Sequence, residues 1–265
     1  MKKILLGLLL LSSALSFGAT QRISLEKLET NESKDILYLV GTKTPYSGEA
    51  EIRYPSGQLL SVATFKNGKI NGKAYEYYPS GQLKLEENYI NGKLNGLSKS
   101  YYENGQLKDE IPYKNDKKEG IVKTYIENGT LISEVTFKNG VVVGKSKLYN
   151  TKTGKLAAES NINNRKIEGV SKEYYPSGKL LSEVRYKNGR VDGIAKVYNE
   201  QTGKLEREIP YKDGKKEGIE KSYDEKGKLI GTITFENDQI MEEITYKDGK
   251  IIDRKAYPLG KDLEN

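Results

Sequence analysis

Between residues 46 and 240 the chain alternates apolar and polar positions in short runs, and the runs recur at a fixed distance. A glycine sets the register at Gly48, Gly72, Gly96, Gly120, Gly144, Gly169, Gly193 and Gly218, with five spacings of 24 residues and two of 25. Five residues after it stand Arg53, Tyr77, Tyr101, Tyr125, Tyr149, Tyr174, Tyr198 and Tyr223. A leucine then follows a polar turn in every unit, for example Leu83, Leu107 and Leu131. The fourth and sixth residues after it are mostly apolar, as in Ile111 and Tyr113 or Val135 and Phe137. The third is a glutamate in six units: Glu86, Glu110, Glu134, Glu159, Glu183 and Glu208. This period of two is that of a half-buried strand, because a helix would bring the third and fourth positions together. By parity, the leucine and its fourth and sixth successors are expected on one face, with the glutamates on the other.

Turn signals bound every run. One kind reads "PSG", "ENG" or "EKG", and in the two longer units "YNTKTGKL" and "YNEQTGKL". Proline fits the first central position of a type I turn and glycine the left-handed position after it. The other kind reads "KNGK", "INGK", "KNGR" or "KDGK". Asn-Gly and Asp-Gly between alternating runs signal a two-residue hairpin. Each unit is therefore strand, turn, strand, turn. The expected fold is all-β: an elongated single-layer antiparallel sheet of about eight stacked 24-residue β-hairpin repeats. Sixteen strands would run on the order of 75 Å, twisting as they go. Residues 20–45 are expected as a lead-in or cap strand, 46–240 as the eight repeats, and 241–265 as a partial repeat with a polar tail.

Composition supports a thin structure. Of 265 residues, 35% are hydrophobic and 31% charged, too little aliphatic content for a compact two-layer domain of this length, while 20 tyrosines argue against disorder. Stacked repeats that bury little each reconcile the two. With no cysteine and no histidine, disulfides, thiolate chemistry, His-based metal sites and lipoprotein anchoring drop out. Residues 1–19, "MKKILLGLLLLSSALSFGA", have the basic start, short apolar run and small-residue end of a signal peptide. The apolar run is too short to span a bilayer. The expectation is an exported protein with no transmembrane helix after cleavage, in the periplasm, at the surface or outside the cell.

The series Gly, Tyr-Tyr, Asn-Gly or Ser-Gly, Leu, Glu, Tyr-Lys-Asn-Gly-Lys resembles the bacterial MORN-repeat variant family, most closely its YwqK-like members, which are described as antitoxin partners. The resemblance covers roughly 46–250. It implies stacked hairpins and a role in binding protein or lipid rather than catalysis.

Two rows are candidate sites. Tyr77, Tyr101, Tyr125, Tyr149, Tyr174, Tyr198 and Tyr223 form an aromatic ladder suited to stacking on a partner. Lys99, Lys123 and Lys147 head a basic row, with Lys172, Lys196 and Lys221 behind them. Either row also has a purely structural reading, the tyrosines as scaffold and the lysines as cross-strand partners of the glutamates. No phosphate loop, kinase motif, catalytic carboxylate pair or metal ligand set emerges, and no cofactor is expected. Interleaved acids and the leader argue against nucleic acid. The expected function is a non-enzymatic scaffold for another protein, such as a toxin or an envelope protein, in an antitoxin or immunity-like role. The alternative is an envelope binder of glycan or anionic lipid.

Overall fold

A computed structural model describes residues 22–30 and 36–257 of the chain. The leader expected at 1–19 lies outside the described residues. Among those described there is no α-helix; a single 3-10 turn spans Leu25–Lys27. The rest is essentially one meander in which each strand pairs antiparallel with its sequence neighbours, from Gly48–Arg53 through Lys250–Ala256. The sheet is not closed into a barrel.

The two turn chemistries produce two hairpin geometries. At the asparagine turns both central residues have positive φ, 51° at Asn67 and 75° at Gly68, so that Lys66 and Lys69 face each other across a two-residue loop. This is the primed turn whose twist matches that of the strands. At "YPSGQ", Gly81 N–H donates to the Tyr78 carbonyl and Tyr78 N–H to that of Gln82, both at 2.8 Å, with Gly81 at φ 88°. That is a type I turn followed by a left-handed glycine.

A bulge follows the second kind of turn and overturns the parity assignment made from sequence. Tyr101 pairs with Leu107 but Ser100 pairs with Asp109, leaving Lys108 as an extra residue. Directly opposed residues share a face. Leu107 therefore joins Tyr101, Lys99 and Glu110, whereas Ile111 and Tyr113 lie on the other face with Ser98 and Ser100. The same one-residue shift recurs beside Leu83, Leu131, Leu156, Leu180, Leu205 and Leu229.

A second irregularity explains the repeated glycine. Along Leu83–Ile90, Tyr89 opposes Leu94 while Glu86 opposes Lys99, a shift of two residues centred on Gly96 at φ 113°. Because the shift is even, the faces do not exchange. Gly120 shows how tight this bend is: a Cβ there would sit 3.1 Å from Pro112 Cγ, at φ 117°.

Two faces result. The packed face carries the small residue two positions after each glycine, including Ala50, Ser98, Val122 and Ala195, all buried, against residues such as Ile209 and Phe235. Among the described residues no second layer covers them; small side chains sit low between larger ones of neighbouring strands. The other face carries the ladder tyrosines five positions after each glycine, with the glutamates and lysines that oppose one another across the strands.

At the N-terminal edge, Ile23–Ser24 pairs parallel with Gly48–Arg53, and Leu28–Thr30 with Leu37–Leu39 forms a separate two-stranded sheet. Residues 36–46 wrap the first asparagine turn: Leu37 N–H donates to the Gly68 carbonyl and Gly68 N–H to that of Tyr46. At the other end, Gln239–Lys247 and Lys250–Ala256 add a full hairpin beyond the eighth unit, and Lys250–Ala256 is exposed throughout.

Candidate functional site

The strand register lays the sequence-derived candidates side by side on the tyrosine face. Lys99 opposes Glu110, Lys123 lies opposite both Glu110 and Glu134, and Lys147 opposes both Glu134 and Glu159. Ion-pair distances are 4.0 Å for Lys99–Glu110, 3.7 Å for Lys147–Glu134 and 3.1 Å for Lys172–Glu183. The glutamates also accept hydrogen bonds from the tyrosine one unit on: Tyr149 to Glu134 at 2.8 Å, Tyr174 to Glu159 at 3.1 Å, Tyr198 to Glu183 at 3.1 Å and Tyr223 to Glu208 at 2.9 Å. Tyr125 reaches Glu110 at 3.3 Å. Tyr77 and Tyr101 hold the equivalent places at the start of the ladder.

These contacts set the electrostatics. Partial burial and then the Glu134 carboxylate push the Tyr149 hydroxyl up to about 12. Burial first, with a neighbouring glutamate, raises Tyr125, Tyr174, Tyr198 and Tyr223 as well. The hydrogen bond from Lys172, with help from Tyr198, holds Glu183 below the usual carboxylate value. The raised tyrosines are therefore held as neutral donors to their neighbouring glutamates. The ladder consumes its own polar groups, an arrangement suited to rigidity rather than proton transfer.

The second tyrosine of the pair ties units together. Tyr54, Tyr78, Tyr102 and Tyr175 each donate a hydroxyl hydrogen bond to the carbonyl of the first tyrosine in the next unit, at 2.8–2.9 Å. Neither this tie nor the glutamate contact was readable from spacing, since both join residues of different units.

A third row on the same face escaped the sequence reading. One position after the glycine, five of the eight units place Leu97, Ile121, Val170, Ile194 and Ile219, exposed by 43, 50, 45, 53 and 53%, while Glu49, Lys73 and Lys145 hold that position in the others. Pro112 and Pro210 oppose Leu97 and Ile194. The available signal was a break in alternation: "GIV" and "GIA" place two apolar residues in succession, of which a one-sided strand can bury only the second.

The family profile described as MORN repeat variant matches this chain six times, at 46–67, 70–91, 94–115, 118–139, 167–188 and 216–237. The chain carries MORN repeats of the variant type. The two units outside the matched stretches, near 142–163 and 191–212, are those with the longer turn. No curated protein matches the chain. Among solved structures, the MORN sheet is similar to the crystal structure of TcdB2-TccC3 at 12% identity and a TM-score of 0.21, over 77% of this chain and 15% of that one. It is also similar to a porin-like protein from Bacteroides uniformis ATCC 8492 at 12% identity and a TM-score of 0.17, over 78% and 92% respectively. The chain thus spans less than a sixth of the TcdB2-TccC3 chain, and likenesses this loose carry no argument about function.

Proposed function

We propose that this MORN-repeat chain is an exported, non-enzymatic scaffold that binds another protein along its tyrosine face. The observation that carries the reading is the row Leu97, Ile121, Val170, Ile194 and Ile219, half exposed in a fold that buries few side chains fully. The row runs Leu97, Pro112 and Ile121, is interrupted by Lys145, and resumes as Val170, Ile194, Pro210 and Ile219. This gives two apolar stretches rimmed by polar groups, the usual anatomy of an interaction surface. The tyrosine ladder, separated from that row by the lysine–glutamate row, stiffens the surface. Resemblance to YwqK-like proteins directs the reading towards a toxin as partner and an immunity-like role, and the leader directs it to the envelope.

The alternative, a binder of glycan or anionic lipid through Tyr77 to Tyr223 and Lys99, Lys123 and Lys147, has less support. Most of those hydroxyls and ammonium groups already face glutamates. The test is cross-linking in the native host with the wild type and an Ile121→Glu/Ile194→Glu variant. One stoichiometric protein captured by the wild type and lost from the variant supports the scaffold. An unchanged set of captured proteins sinks it.

A further inference from the structure

The aliphatic row is bordered on one side by the neutralised glutamate–lysine row. On the other side lie cations without an ion-pair partner among the described residues, the nearby Glu168 and Asp192 carboxylates accepting the backbone N–H of Asn188 and Asp213 instead. Residues flanking the asparagine turns oppose each other on the tyrosine face, and several are like-charged pairs: Lys114 with Lys117, Lys187 with Arg190, Lys212 with Lys215. The pairs flanking turns 67–68 and 248–249 are built the same way. Like charges directly opposed across strands destabilise a sheet. Among the described residues none of these side chains makes an ion pair, whereas lysines of the inner row sit opposite glutamates. Other turns of the same kind do without them, pairing Ile90 with Lys93, Lys138 with Val141, Asn163 with Lys166 and Glu236 with Gln239, so the turn itself does not require twin cations.

We propose that the strip between the aliphatic row and the twin cations docks an acidic, extended segment of the partner polypeptide, running across the strands. This rests on the protein-binding reading above and specifies its chemistry. Apolar side chains of the segment lie over Ile121 and Ile194, and its carboxylates between the paired cations. The repeat length fits. One unit advances two strands, about 10 Å along the sheet, and three residues of chain in the polyproline II conformation span about 9 Å and bring the side chain back to the same face. Acids spaced by three residues or multiples of three therefore reach the cation pairs flanking turns 115–116, 188–189 and 213–214. A bilayer fits less well, since strands rotate by roughly 20° from one to the next and a plane meets few units of a twisted row. A flexible chain follows the winding.

The test uses fluorescence anisotropy with the full chain and a labelled peptide repeating Val-Asp-Thr. Its controls are a Val-Lys-Thr peptide and phosphatidylserine vesicles. Lys117→Glu and Lys215→Glu convert two like pairs into opposite pairs. The double variant is expected to unfold at a higher temperature and to bind the acidic peptide at least about ten-fold more weakly. Lys99→Glu/Lys123→Glu, on the glutamate-facing row, is expected to change peptide affinity less than about two-fold. Equal binding of both peptides, no binding of the acidic one, unchanged affinity in the double variant, or binding to vesicles alone would each overturn the proposal. If partner capture depends on Ile121 and Ile194 while the acidic peptide does not bind, the scaffold stands and the acidic segment falls. If the isoleucine variant captures normally, the scaffold reading itself falls.

Discussion

The short-turn and long-turn units differ by one residue, and the difference shows which part of a unit is free to vary. In a short unit Tyr78 closes a loop with Gln82 and its hydroxyl reaches the next unit. In the long units Asn150 and Asn199 replace that tyrosine. Each accepts two backbone N–H bonds inside its own turn at 3.0 Å, and Gly154 or Gly203 closes the wider loop. Beyond the turn nothing shifts: Tyr149 pairs with Leu156 as Tyr125 pairs with Leu131. The insertion is absorbed locally, but the hydroxyl tie to the next unit is lost. Other bonds stand in its place. Lys155 Nζ donates to the Ser177 carbonyl at 2.7 Å. After the second long turn, Arg207 and Lys216 converge on Glu220, which is only 2% exposed where other units carry a small residue.

Substitutions can break this contrast at several levels. Gly120, whose strand feeds a short turn, has φ 117° and Pro112 close by, whereas Gly144, which opens a long unit, has φ 65° and open space around a Cβ. Gly120→Ala should lower stability by about 3 kcal/mol and Gly144→Ala by about 1, measured by urea unfolding. Equal losses would mean that the bend is not what the glycine serves. Next, Arg207→Ala should cost about 2 kcal/mol, because Glu220 then keeps Lys216 alone. Adding Glu220→Ala should restore most of that loss, and a double-mutant cycle reads the coupling. Tyr102→Phe removes one hydroxyl tie, and a drop of about 1 kcal/mol is expected. The corresponding residue of a long unit, Asn150, makes no such tie, so Asn150→Ala should instead loosen its own turn, seen as faster amide exchange at Lys152 and Thr153. Smallest is Arg165→Gly. Arg165 holds φ 63° where most asparagine turns place glycine, so a gain of about 0.5 kcal/mol is expected in thermal unfolding.

Alkali tests the ladder shared by both kinds of unit. Tyr149 is raised from 10.0 to about 12, so its contribution is fully present below pH 10 and is lost as pH rises through that interval. Unfolding should track the appearance of tyrosinate absorbance. Tyrosines that ionise at their ordinary value in the folded protein would refute the burial and glutamate contacts assigned here.

Much of the fold was legible because the repeat averages away local ambiguity. Eight versions of one turn reveal what one "PSG" cannot, and Asn-Gly fixed the two-residue hairpins. The face assignment failed at Leu107 for a physical reason. Parity counting assumes an unbroken ladder, and Lys108 is an unpaired residue that no single sequence position announces. The glycine spacing was plain, but the two-residue shift behind it depends on pairing with the preceding strand. Of the candidate site, the tyrosine and lysine rows were visible as regular columns. The aliphatic row and the twin cations were not singled out, since their meaning depends on which side of the sheet stays uncovered.

The meander described above also sets how this protein comes to be folded. Apart from Gly48–Arg53, which also takes Ile23–Ser24 at its edge, each strand of the repeats pairs with its neighbours in the chain, so most contacts close small loops. Such low contact order favours rapid folding from many starting points, with completed hairpins serving as templates for the next. The structure can therefore assemble progressively as the chain emerges, each unit sealing the open edge left by its predecessor, with no need to wait for the far end.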